Sequence, residues 1–403
     1  MTRTLFTKGR IFDGTGSPIA DGEVVVEDGR IVDVGTGLDG DDAVDLAGRA
    51  LLPGLFDCHV HVVISHVDMF RHMQTPFSMR FYEAARNLEA TLAAGITTVR
   101  DAGGADLGVK TAVEQGYING PSMQISLGML SQTGGHGDGW MPSGAYLRFL
   151  GEHPGAPSTI VDGPEEMRRK VRELIRMGAD VIKVATSGGV LSPRDDPRHA
   201  HFQPEELEVL VREAATLGRW VMAHAQASDG IKNAVRAGIR SIEHGIFLDD
   251  EAIELMLGKG TYLVPTLVAP TGVIKAAEAG ASVPDESVRK AREVLDIHRD
   301  SFSRAVAAGV TVAMGTDSGV TPHGQNLDEL VLMQDGGMSP SDVLVATTRN
   351  AAECMGLLED RGTIEAGKRA DLVVVDGDPL HLDTLRERIV AVYRGGRLVS
   401  GGV

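Results

Sequence analysis

Hydrophobic and polar positions change rhythm twice along the chain. Over residues 1–52 they alternate in short runs, and 4–13, 22–27 and 30–34 read as strands. The Asp28-Gly29 pair between the last two is a tight-hairpin dipeptide. From Leu51 to about residue 358, short apolar runs alternate with stretches whose apolar positions recur three and four apart. The runs at 50–62, 97–101, 124–130, 181–186, 220–225, 241–243, 262–265 and 311–315 predict eight strands. Helices are predicted at 83–94, 164–177, 204–217, 230–237, 249–259 and 287–308, with Pro164 and Pro204 where a first helical turn tolerates proline. Beyond Gly362 the strand texture returns at 370–375 and 390–393, followed by Gly395-Gly396. The expected fold is α/β: a (β/α)8 TIM barrel over 53–358, with a small composite β-sandwich domain built from both termini, 1–52 and 359–403. An open doubly wound sheet is the alternative.

Composition narrows the function classes. Of 403 residues, 42% are hydrophobic and 24% charged, which excludes a disordered chain. With 39 Lys and Arg against 56 Asp and Glu, the net charge of −17 opposes binding to nucleic acid or an anionic membrane surface. Cys58 and Cys354 are the only cysteines, too few for a disulfide scaffold. No secretory leader is evident in the opening residues and no apolar run reaches ~18 residues. A cytoplasmic enzyme acting on a small molecule is the expectation.

Barrels of this kind do their chemistry at the C-terminal ends of the strands, and polar residues collect there. The first strand ends Asp57-Cys58-His59-Val60-His61. Alternation puts His59 and His61 on one face, spaced to chelate one ion, and turns Cys58 toward the helices as a small core residue. Asp57 shares the inward face and suits a partner that orients ligands. Lys183 lies in an apolar run, where an ammonium is costly to bury. His224, His244 and Asp317 follow the fifth, sixth and eighth strands. Taken singly, each feature is weak. A lone strand-end histidine is more often a core residue, but six such residues in consistent order make a site.

Leu52-Pro53-Gly54-Leu55-Phe56-Asp57-Cys58-His59-Val60-His61, Thr98-Val99-Arg100-Asp101-Ala102-Gly103-Gly104 and the segment 362–372 resemble motifs of the amidohydrolase superfamily, in its branch with two metals bridged by a carboxylated lysine. The resemblance runs nearly end to end. It implies one metal held by His59, His61 and Asp317, a second by His224 and His244, and a CO2-derived carbamate on Lys183 bridging both. Zn(II) suits these donors. The implied reaction is attack of a metal-bridging hydroxide on an amide carbonyl, with Asp317 as proton carrier. Homo-oligomers are common among such proteins, so a homo-oligomer is expected.

Residues 131–138 and 187–193 resemble a narrower group, the bacterial prolidase and Xaa-Arg dipeptidase-like amidohydrolases. That likeness implies a dipeptide or N-acyl amino acid with a free C-terminal carboxylate as substrate. It makes His136 a catalytic contact to the substrate carbonyl or carboxylate. Two residues after His224 the group often carries a tyrosine, and here Gln226 stands in its place. His66 and Arg71 are the candidate carboxylate partners in the first loop. The apolar stretch 265–270 leaves room for an aryl urea, a carbamate or an aromatic, mycotoxin-like amide as the alternative substrate. A single-metal deaminase or imidazolone hydrolase would lack Lys183. A non-catalytic interaction protein would have lost metal ligands that this chain keeps.

Overall fold

The computed structural model describes residues 2–147 and 153–403. Strands from the two ends of the chain merge into one hydrogen-bonded sheet of eight. Leu372–Val375 runs antiparallel to Ala50–Pro53, with Val375 opposite Ala50, and this pairing joins the termini. Thr4–Ile11 is shared. Its first half pairs parallel with Asp42–Asp45 and its second half with Ala50–Pro53. Where a sandwich of two sheets was expected, the pairing therefore connects all eight strands, because one strand changes partner midway along its length.

Both predicted hairpins form. Glu27 pairs with Arg30 around Asp28 and Gly29, which have φ of 49° and 77°. Arg394 pairs with Arg397 around Gly395 and Gly396, at 55° and 74°. Two successive positive φ values match the twist of a tight hairpin, which is why these dipeptides occur there. Phe6 meets Tyr393 edge-on at 5.0 Å in the small core beneath this sheet.

The middle of the chain forms two parallel arcs. Leu55–Val60, Ile96–Asp101 and Ser122–Ile125 make one; Met129–Leu130, Val181–Ala185, Trp220–Ala225, Ser241–His244 and Tyr262–Val264 make the other. The strands Leu55–Val60, Ile96–Asp101 and Val181–Ala185 are buried along their whole length, as expected of parallel strands covered on both faces. Gly54 splits the first predicted strand in two; a Cβ there would overlap the Thr97 side chain.

The eighth predicted strand, 311–315, is not a regular strand. It is an extended segment joined to its neighbours by single bridges, Leu263 with Val312 and Val60 with Ser318. Cys58 N–H donates to Met314 O at 2.9 Å and Asp317 N–H to His59 O at 2.7 Å, so it still lies between the two arcs. Gly315 and the left-handed Asp317, φ 61°, break the even ladder.

The predicted helices form within two residues of their expected ends, except the first. It begins at Met79, four residues early. The stretch after Pro265 becomes a helix, Val268–Glu278, instead of a loop. Buried Glu329 accepts hydrogen bonds from Leu267 N–H and Val268 N–H at 2.7 and 2.9 Å, satisfying donors that a helix start leaves open. Among the described residues, no helix is long and apolar enough to cross a membrane.

Candidate active site

Six polar side chains from the two arcs and the 311–318 segment line one cavity of about 520 Å³: His59, His61, Lys183, His224, His244 and Asp317. Three imidazoles are tethered in the same way. The Nδ1 of His59 donates to Glu243 Oε2 at 2.8 Å and that of His61 to Gly103 O at 2.8 Å, while that of His244 lies 2.7 Å from Thr266 Oγ1. The first two tethers leave Nε2 as a lone-pair donor. Asp317 Oδ1 lies 3.2 Å from His61 Nε2 and 3.5 Å from His59 Nε2.

Donor atoms of His59, His244 and Asp317 lie within 4.8 Å of one another, a spacing that fits one metal ion. His224 stands apart from this set, since its Nε2 lies 3.0 Å from Gly188 O. Its ring nevertheless approaches that of His244, with centroids 4.6 Å apart.

Electrostatics favour the neutral ligand form of three of the four histidines. Burial, reinforced by neighbouring cationic groups, holds His59, His224 and His244 well below the usual histidine range, so all three are neutral. Burial opposes the Asp317 carboxylate, but His59 and His61 outweigh it and lower its pKa. Burial pulls Lys183 down to about 8. Its one hydrogen-bond contact among the described residues is His59 Nε2 at 3.5 Å. A fully buried amine that is partly neutral and poorly partnered fits carbamylation better than an ion pair.

Beneath the imidazoles lies a buried network that the sequence gives little sign of. Glu243 Oε1 takes Arg100 Nη2 at 2.9 Å and Ser241 Oγ at 2.6 Å, while its other oxygen holds His59. Burial works against the Arg100 charge, yet Glu243 raises its pKa. Arg100 Nε also donates to Cys58 O at 2.7 Å. A glutamate inside the buried run Ser241–His244 was the available signal. Asp57 works through the backbone, accepting from His59 N–H and Thr316 N–H, each at 3.1 Å, and so ties the first strand to the segment that carries Asp317. Cys58 is buried beside Cys354, as its outward direction implied.

His136 lies on the cavity wall with its ring stacked on His224, centroids 4.1 Å apart. Its Nδ1 is 2.8 Å from Ser192 Oγ and 3.2 Å from Asp195 Oδ2. Asp195 is held in turn by Lys290, whose Nζ lies 3.5 Å from Oδ1. Asp195 and Lys290 went unnoticed in the sequence because they meet His136 only through the fold.

Gln226 also lines the cavity, buried to 4% exposure, and its Oε1 has no hydrogen-bond partner among the described residues. His66 and Arg71 are not brought to this site. Arg71 is exposed in the short helix Met69–Gln74, and His66 packs edge-on against His72, with centroids 6.5 Å apart and neither on the cavity wall. That helix turns Arg71 to solvent, which a linear reading does not reveal.

A TIM-barrel-type fold with an extra sheet, and clustered histidine and carboxylate donors at its strand ends, define a metal-dependent class of hydrolase. The profile of the amidohydrolase family matches residues 50–399, and the chain belongs to that family. It is 36% identical to ochratoxinase of Aspergillus niger over 99% of this chain and 87% of the relative. A prolidase solved with N-methylphosphonate-L-proline superposes with a TM-score of 0.91 at 35% identity, covering 99% of this chain and all of the other. A Xaa-Pro dipeptidase solved with methionine in its active site gives 0.89 at 32% identity, covering 99% and 100%. The chain is therefore a hydrolase that cleaves amide bonds.

Proposed function

We propose that this hydrolase cleaves the amide of a dipeptide or N-acyl amino acid, within a (β/α)8 barrel spanning 53–358 and flanked by a composite domain of 1–52 and 359–403. The observation that carries this reading is the three imidazoles tethered through Nδ1 around Asp317 and Lys183. His59, His61 and Asp317 would hold one metal ion, and His224 and His244 a second; Zn(II) suits their donors. Lys183 would bridge them as a carbamate, formed when its neutral amine adds CO2 and releases a proton. When bound, the metals supply an acidified water and polarisation of the substrate carbonyl.

The chain's own residues do the rest. Asp317, kept ionised by His59 and His61, takes a proton from the attacking water and returns it to the leaving nitrogen. Gln226 Oε1, buried and without a partner, accepts the substrate N–H. His136, held through Nδ1, turns its other nitrogen to the substrate.

Much of the remaining wall is apolar, including Met69, Leu127, Met129, Val190 and Ile246. With the likeness to ochratoxinase, that wall favours an aromatic amide over a small polar dipeptide. A hydrolysis screen of the metal-loaded protein on N-acyl-L-amino acids, dipeptides and aryl ureas tests the reading. Amine release from the first class is expected, and turnover of aryl ureas alone would overturn it.

A further inference from the structure

The cavity wall carries two basic side chains other than histidine among the described residues. One is Lys183, deep among the imidazoles; the other is Arg194, exposed in the loop that follows the lysine strand. Arg194 packs its guanidinium carbon 5.2 Å from the centroid of the Trp140 ring, and Trp140 also lines the cavity. Trp140 is 42% exposed, so the stacked pair stands at the open end. No ion pair to Arg194 forms among the described residues, although 56 of the chain's residues are acidic.

Two carboxylates in the wall, Asp195 and Asp138, are already engaged. Asp195 is held by His136, Ser192 and Lys290. Asp138 accepts Gly134 N–H at 2.9 Å and Trp140 N–H at 3.2 Å. The Asp195 tether fixes the residue next to Arg194 in the chain, and the Asp138 bond fixes the backbone of Trp140. Arg194 is thus a positioned, uncommitted guanidinium at the rim of an apolar chamber.

We propose that Arg194, stacked on Trp140, is the specificity residue that binds a substrate carboxylate, so that the preferred substrates are N-acyl amino acids with a free acid and an apolar or aromatic arm. A guanidinium offers paired N–H donors matched to a carboxylate, and the ring beneath restricts its orientation. His66 and Arg71, outside the cavity, are not this anchor. The inference rests on the reading of the cavity as an amide-hydrolase site, and its test separates the two.

The probes are 4-phenylbutyrate and 4-phenylbutanol, which share an apolar arm and carry no amide bond. Binding to the metal-loaded protein is read by quenching of Trp140 fluorescence, with Trp140→Phe identifying the signal. The acid is expected to bind about tenfold or more tighter than the alcohol, as for a hydrogen bond to a charged group. Arg194→Gln should bring the ratio close to one, and Arg194→Lys should keep part of it. An undiminished preference in Arg194→Gln would overturn the proposal, since the acid would then be held elsewhere. If the preference is lost as expected while no N-acyl amino acid is hydrolysed, the anchor stands and the proposed substrate falls. If N-acyl amino acids are hydrolysed while Arg194→Gln keeps the preference, the reverse holds.

Discussion

Replacing Glu243 with glutamine tests the buried network under the imidazoles. The substitution keeps size and removes one charge. Glu243 and Arg100 are both essentially inaccessible, 0% and 2% exposed at their side chains, with 2.9 Å between Oε1 and Nη2. Water does not reach the guanidinium to compensate for the lost charge. Breaking a buried pair by neutralising one member costs about 3–5 kcal/mol. At ~2.1 cal/mol/K of unfolding entropy per residue, 403 residues give roughly 0.85 kcal/mol/K, so the melting temperature should fall by about 4–6 °C. The same carboxylate fixes the tautomer of His59 through Nδ1. A glutamine amide can donate there instead and move the proton to Nε2. Metal affinity should therefore fall by about 10–100-fold. Calorimetry and metal titration read the two effects separately. Adding Arg100→Met should recover much of the stability but none of the metal affinity. Glu243→Gln with unchanged melting and unchanged affinity would refute the reasoning, and a double variant that regains both would refute the role assigned to His59.

Three further outcomes follow from other parts of the site. Lys183→Ala should abolish turnover and full metal loading, with partial rescue by short-chain carboxylic acids; unchanged turnover without them would exclude the bridge. A methyl at Gly189 would overlap the His136 ring, so Gly189→Ala should lower kcat/KM by about tenfold or more through a misplaced imidazole, with metal content unchanged. Loss of metal in that variant would instead point to damage at His224, on which His136 stacks. Burial pushes Glu329 up to about 8, against the pull of its two backbone donors. Its folded pKa lies above the unfolded value, so its contribution is fully present below about 4.5 and is lost as pH rises through about 8. Relative to Glu329→Gln, the wild type should lose stability between pH 5 and 8, bounded at about 5 kcal/mol; urea midpoints that move in parallel would contradict this.

Much of the chain could be read locally. Hairpin dipeptides declare themselves because two successive positive φ values demand Asn, Asp or Gly, and Asp28-Gly29 and Gly395-Gly396 meet that demand. Strand alternation spaces His59 and His61 to share one face, and helical period marked six of the helices within a few residues. Those signals depend on residues two to four apart, which the linear order preserves. The partners that make the site work are not neighbours. Glu243 meets His59 across 184 positions, and Asp195 reaches His136 across 59. Arg194 found Trp140 only when two loops closed over one mouth. His66 and Arg71 looked equally eligible until a short helix carried Arg71 away to solvent. The irregular 311–318 segment, with Asp317 in a left-handed turn, takes its place from hydrogen bonds to the first strand and the strand Tyr262–Val264, not from its own pattern. Sequence alone marked candidate residues for chemistry and most of the elements that bear them. Packing in three dimensions decided which partner each ring nitrogen meets, which charges are already paired, and which guanidinium stands stacked at the mouth of the cavity.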